Sequence, residues 1–134
     1  LNKNVRSFQR RRSVILPPRG ASVTGTVYEA VEPEAPTVTL FTKEGCTLCD
    51  KVRDVLVDLR KSHSHGLNQI DITDQEHTAW YDKYKYDIPV LHLNGQYWIK
   101  HKMTTDEAKE GLEAFRNGTF SSPKGEPNAS EMER

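Results

Sequence analysis

Cys46 and Cys49 are the only cysteines in the chain, separated by Thr47 and Leu48 in the stretch FTKEGCTLCDKV. Two thiols at this spacing can close a small disulfide ring, supply half of a tetrahedral zinc site, or cycle between dithiol and disulfide. A bridge across two intervening residues removes little freedom from the unfolded chain, so as a purely structural element it stabilises little. Zinc needs two further ligands. The nearest histidines, His63 and His65, stand in H-x-H spacing beyond the helical run that follows the cysteines, and so at its far end.

The neighbouring residues favour redox chemistry. TVTLFT (37–42) alternates apolar and hydroxylic residues, the pattern of a strand, and a Lys-Glu-Gly turn follows it. From Leu48 onward, Val52, Val55, Leu56 and Leu59 recur with a helical period, which puts Cys46 at a helix start. Unpaired backbone N–H groups and the positive end of the helix dipole favour negative charge there. A Cys46 thiolate is therefore expected to be stabilised, with its pKa below that of a free cysteine. The Lys43 ammonium would add to this on reaching the sulfur, whereas Glu44 and Asp50 oppose it. Cys49 precedes Val52 by three residues and Leu56 by seven, on the face that should be buried. An outer thiolate that attacks and a sheltered thiol that resolves are what disulfide exchange requires.

The elements that would hold this pair read as follows. LNQIDI (67–72) is a second strand after the stop at SHSHG. Thr73 and Glu76 have capping-box spacing ahead of a helix whose apolar stripe is Trp80, Tyr81 and Tyr84. IPVLHLNGQYWIK holds two strands joined by Asn94-Gly95, a strong hairpin signal. Thr104 and Glu107 form another capping box, Ala108, Leu112 and Phe115 mark one face of a last helix, and Asn117-Gly118 ends it. The order β-α-β-α-β-β-α predicts an α/β domain with a four-stranded mixed sheet, its first two strands joined by a right-handed parallel crossover.

Composition bounds the rest. The 134 residues suit one domain, and 35% hydrophobic content with a mean hydropathy of −0.74 reads as an ordinary core diluted by polar ends. Nineteen Lys and Arg balance nineteen Asp and Glu, so overall charge points to neither nucleic acid nor an acidic partner, and no apolar run approaches a membrane span. Two cysteines cannot build the disulfide frame of a small secreted domain, which favours a reducing, intracellular compartment. Lys3, Arg6, Arg10, Arg11, Arg12 and Arg19 all precede the first acid, Glu29. That acid-free leader fits a mitochondrial or other organellar transit segment, a disordered basic arm on a cytoplasmic protein, or, with no aromatic interleaving beyond Phe8, less well a nucleic-acid-binding arm. The expected organisation is residues 1–36 as disordered leader and acidic linker, 37–118 as the domain, and 119–134 as a disordered tail.

With C-x-x-C at the first helix start, this order resembles a glutaredoxin of the thioredoxin-like superfamily. The likeness is nearest to a small glutaredoxin-like subfamily with an LFTK-x-x-C-x-L-C-D start and a WY-x-x-Y-x-x-D-IPV-x-HLNG centre, which stand here as LFTKEGCTLCD and WYDKYKYDIPVLHLNG. It spans about residues 37–116. The resemblance implies a thioredoxin-like fold, with Cys46 as nucleophile, Cys49 as resolving thiol and Lys43 as thiolate stabiliser. It also implies a cis Pro89 opposite the cysteines, although X-Pro bonds are mostly trans. The backbone of Ile88 would then pair with an extended substrate by short strand addition. Dithiol glutaredoxins typically read C-P-Y-C, where Thr47 and Leu48 stand here. In place of their Gly-Gly and acidic pair after the fourth strand stands IKHKMTTDEA, whose polar candidates are Thr104, Thr105 and Asp106.

The expected activity is thiol–disulfide exchange by a monomer on protein or glutathione mixed disulfides. No bound cofactor or metal is implied, and glutathione enters at most as a co-substrate. The alternative is a redox-inert thioredoxin-like interaction module, distinguished by whether the cysteine pair cycles. Among the remaining residues, His92 reads as a packed or edge histidine rather than a catalyst, and Trp80, Tyr81, Tyr84 and Tyr86 as core rather than a ligand-stacking surface. Asp71 reads as an exposed strand-end carboxylate rather than a buried proton acceptor.

Overall fold

A computed structural model of the protein describes residues 21–133. The basic leader expected before residue 21 lies outside them. Val38 and Leu40 point to one side of Thr37–Thr42 and Phe41 to the other, and all three are buried. This strand, β2, needs cover on both faces, and it sits at the centre of the sheet.

In chain order the elements are β1 (Gly25–Tyr28), β2, α1 (Thr47–Asp58), β3 (Gly66–Asp71), a 3-10 turn (Gln75–His77), α2 (Thr78–Tyr84), β4 (Val90–Leu93), β5 (Gln96–Lys100), α3 (Thr105–Arg116) and α4 (Ala129–Met132). The strands lie in the order β1-β3-β2-β4-β5. β2 and β3 run parallel, from Thr37 opposite Gly66 to Thr42 opposite Asp71, and the other pairings are antiparallel. On one face Val38, Leu40, Leu67, Leu91, Leu93 and Trp98 pack against Val52 and Leu56 of α1 and Ala108 and Leu112 of α3. On the other, Phe41, Val90 and Tyr97 pack against Tyr84 of α2. The hairpin turns through Asn94 (φ +52°) and Gly95 (φ +87°), two left-handed residues in succession as the Asn-Gly signal requires. α3 begins with the expected capping box, Thr104 Oγ1 accepting from the Glu107 N–H and the Glu107 carboxylate from the Thr104 N–H.

Gly111 lets α3 approach the sheet closely. A Cβ there would clash with the Trp98 indole, which α3 covers.

The sheet has five strands where the sequence predicted four. The fifth, β1, lies in the stretch read as leader and linker, and its pairing with β3 is fastened by side chains. The Tyr28 hydroxyl donates to Nε2 of buried His65, whose Nδ1–H donates to the His63 carbonyl, and Arg60 lies 4.2 Å over the Tyr28 ring. Burial pushes the Tyr28 hydroxyl up to about 12. At the other end of β1, Ser22 and Thr24 hydroxyls donate to the Asp74 carboxylate, holding its pKa below the usual carboxylate range, and the Val23 N–H donates to Asp71.

The segment 119–133 also differs from its reading as a tail. Ser122 donates to the Tyr97 carbonyl, Pro127 and Ala129 are buried, and α4 packs on α2. Glu126 accepts from the Tyr84 hydroxyl at 2.6 Å and pairs with Lys83 at 2.7 Å, while Glu133 pairs with Lys85 and accepts from Tyr86. The capping box predicted at Thr73 and Glu76 does not form. Thr73 gives both its N–H and its hydroxyl to Asp71, and α2 starts only at Thr78.

Two buried histidines make the fold sensitive to acid. Burial lowers the pKa of His65, and of His92, whose Nε2 lies 2.8 Å from the Tyr84 hydroxyl. Both are held neutral in the folded chain and regain the ordinary value of 6.5 on unfolding. Below that pH the unfolded chain binds more protons, so stability falls as pH falls and levels off below the folded-state values. The expected slope approaches about 1.4 kcal/mol per pH unit for each histidine. Urea titrations between pH 7.5 and 5 check this, and a flat midpoint across that range would contradict it.

Candidate active site

β2 ends at Thr42, and the chain must reverse within a few residues to enter α1. Gly45, at φ +82°, makes that turn, while the Lys43 carbonyl accepts from the Cys46 N–H and from the Thr42 hydroxyl, both at 3.3 Å. Cys46 is therefore the N-cap of α1. Its Sγ accepts the Cys49 N–H at 3.2 Å, and its carbonyl takes the first helical bond from Asp50. Cys46 and Cys49 are disulfide-bonded, with Cα atoms 5.2 Å apart. Cys46 is half-buried and Cys49 wholly buried, the asymmetry expected from the helical period.

The sequence-predicted site residues converge on this end of the sheet. β2 and β4 pair antiparallel from Val38 opposite Leu93 to Phe41 opposite Val90. Ile88 and Pro89 directly precede Val90 at that end of the pairing, and Thr42 and Lys43 directly follow Phe41 there. The Ile88–Pro89 peptide is cis, Pro89 is buried, and Ile88 is half-buried. No hydrogen bond among the described residues engages the Ile88 backbone. The side chain of Lys43 is exposed at the turn, and the exposed Leu48 stands between the cysteines in sequence.

Several readings change. Asp71 is buried, not exposed, and sits opposite Thr42, but its carboxylate is taken by Thr73 and Val23. Asp50, expected to oppose the thiolate, pairs with Arg53 at 2.9 Å, and Arg53 also donates to Gln69. Its i,i+3 spacing from Asp50 is the sequence signal that could have found it. Thr104 is committed to its capping box, with Thr105 and Asp106 exposed in the first turn of α3. His92, read as packed or at an edge, is buried on a strand with neighbours on both sides. The aromatic stripe divides, with Tyr84 buried and Trp80 half-buried, but Tyr81 and Tyr86 exposed. His63 and His65 are engaged by Glu113 and Tyr28 at the far end of α1.

A central strand leading into a helix capped by the first cysteine of C-x-x-C, with a cis-proline immediately before the neighbouring strand, defines a thioredoxin-like domain. Residues 37–113 match the glutaredoxin-like domain family (DUF836), and the chain belongs to that family. A glutaredoxin-like protein of Dictyostelium discoideum is 24% identical over 82 residues, covering 58% of this chain and 76% of that protein. Both β1 and α4 lie outside the matched residues.

Proposed function

We propose that this domain is a dithiol–disulfide oxidoreductase acting on protein or glutathione mixed disulfides. In the reduced chain the Cys46 thiolate attacks one sulfur of a substrate disulfide. The Cys46–substrate bond forms and the other substrate sulfur leaves as a thiolate. Cys49 then gives up its proton and attacks Cys46 Sγ, closing the intramolecular disulfide and releasing the second substrate thiolate. The substrate gains two electrons and the cysteine pair loses two, to be restored by an external thiol reductant, for which glutathione is the candidate. The observation that carries this reading is Cys46 as N-cap, its sulfur facing the Cys49 N–H above a wholly buried partner sulfur. Helix-start N–H groups stabilise a thiolate there, with Lys43 as an added cation and Arg53 offsetting Asp50. The unengaged backbone of Ile88, with Pro89, supports docking of an extended segment.

In the fully reduced chain, Cys46 should alkylate near neutral pH at least about tenfold faster than Cys49, through both its thiolate character and its exposure. Peptide mapping after brief iodoacetamide treatment reads the two rates. Equal rates would remove the basis for assigning the roles.

A further inference from the structure

Two non-glycine residues among those described have positive φ, Asn94 and His101. Asn94 is accounted for by its hairpin turn. His101, at φ +73°, has no such explanation. The Lys102 N–H donates to the Lys100 carbonyl at 2.8 Å, closing a three-residue γ-turn about His101. A positive φ marks the rare, strained form of that turn, and a histidine stays in it only when held from outside.

What holds it lies beside the thiol site. The His101 N–H donates to the Pro89 carbonyl at 2.7 Å, and its Nε2 meets Asp87 Oδ1 at 2.8 Å. The Asp87 N–H in turn donates to the Tyr84 carbonyl at 2.9 Å, fixing Asp87 to the end of α2. These bonds close a ring that runs from the Asp87 side chain along the backbone to Pro89, across to His101, and back through the imidazole. The one residue enclosed between its two anchors is Ile88, whose N–H and C=O no described residue uses.

We infer that His101 and Asp87 form a clasp that holds the Ile88 backbone edge ready for an extended polypeptide disulfide. They are positioning residues that set affinity for peptide substrates without taking part in sulfur exchange. The inference rests on the oxidoreductase reading above and narrows its substrate class to polypeptide chains. Strand addition at a single residue offers few hydrogen bonds, so any freedom lost by that edge on binding subtracts directly from affinity. An edge already fixed avoids the loss. The His101 side chain is 51% exposed, so the clasp works through its geometry more than through the attraction of two charges.

The test uses the full chain, pre-reduced, in single-turnover reduction of two probes. One is a pair of synthetic linear peptides joined by an intermolecular disulfide, the other bis(2-hydroxyethyl) disulfide, which has no backbone to pair. His101→Gly removes the imidazole and adopts the positive φ without strain, so it should fold. In His101→Gly and Asp87→Ala the half-saturating peptide concentration should rise about tenfold, with the saturating rate and the small-disulfide rate changed less than about twofold. Asp87→Asn keeps an acceptor oxygen for the imidazole N–H and should retain near wild-type affinity. Unchanged peptide affinity in His101→Gly, equal loss on both probes, or failure of Asp87→Asn to retain affinity each overturns the clasp and leaves the oxidoreductase reading standing. A wild-type chain inert toward both probes overturns that reading, and the clasp with it.

Discussion

With Cys46→Ser, disulfide reduction should fall by roughly a thousandfold or more, the scale on which loss of a nucleophile acts. A serine hydroxyl is not ionised by a helix start at neutral pH, and Cys49, wholly buried, cannot take over the attack. Cys49→Ser behaves differently because the attacking sulfur remains. The first half of the exchange runs and the second has no resolving thiol. If docking depends on backbone contacts at Ile88 and Pro89, this variant accumulates mixed disulfides with protein partners, which non-reducing gels and mass spectrometry detect and which Cys46→Ser does not form. If glutathione is instead held well, Cys49→Ser keeps or raises turnover of a small glutathionylated substrate. The two results choose between forms of the same activity. Should neither trapping nor turnover depend on Cys46, the domain is an interaction module and the exchange reading is wrong.

Gly111→Ala should destabilise the fold by up to about 2 kcal/mol net, an overpacking cost of about 1–3 less the helix gain, against the usual rule that alanine improves a helix. Helix propensity favours the substitution by about 1 kcal/mol. The added methyl, however, clashes with the Trp98 indole, a rigid ring buried beneath α3. Either α3 lifts from the sheet or the ring leaves its rotamer, and the overpacking term exceeds the propensity gain. For a domain of this size each kcal/mol lowers the unfolding midpoint by about 4–8 °C. Thermal or urea unfolding measures it, and Trp98→Leu in the alanine background should recover part of the loss by making room. An alanine variant as stable as the parent would show that α3 shifts freely.

What could be read from the sequence was whatever is encoded locally. The alternation of 37–42, the Asn94-Gly95 turn and the Thr104–Glu107 box each specify their structure within a few residues, and each formed. Cys46 and Cys49 were legible for the same reason, since the strand, turn and helical period around them fix one as cap and the other as core. The missed features depend on distant partners. β1 shows no clear alternation and buries only Tyr28, and its fastening to His65 spans 37 residues. The segment after 118 is poor in apolar residues, so composition counts it as unfolded. Its anchors are instead Glu126 and Glu133 on groups more than forty residues earlier in the chain. Thr73 failed as a cap because Asp71, two residues before it, offered its carboxylate first. His101 carried no local signal, because its left-handed turn is held by the Pro89 carbonyl and the Asp87 carboxylate, both earlier in the chain.

The direction of β1 also decides how the molecule presents itself to anything it is fastened to. Asp71 and Asp74 tie residues 22–24 to the end of β3 that lies beside Thr42, and Glu133 is tied to Tyr86, two residues before Ile88. The first and last described stretches of polypeptide thus both sit at the pole that carries Cys46. A protein adsorbed to an electrode through either stretch turns its sulfur pair toward the metal, where electrons have the shortest path. A support coupled through Lys61, past the opposite end of α1, turns the pair outward to solution and to large substrates. Comparing voltammetric current with turnover for the two attachments would read this orientation without altering a residue near the thiols.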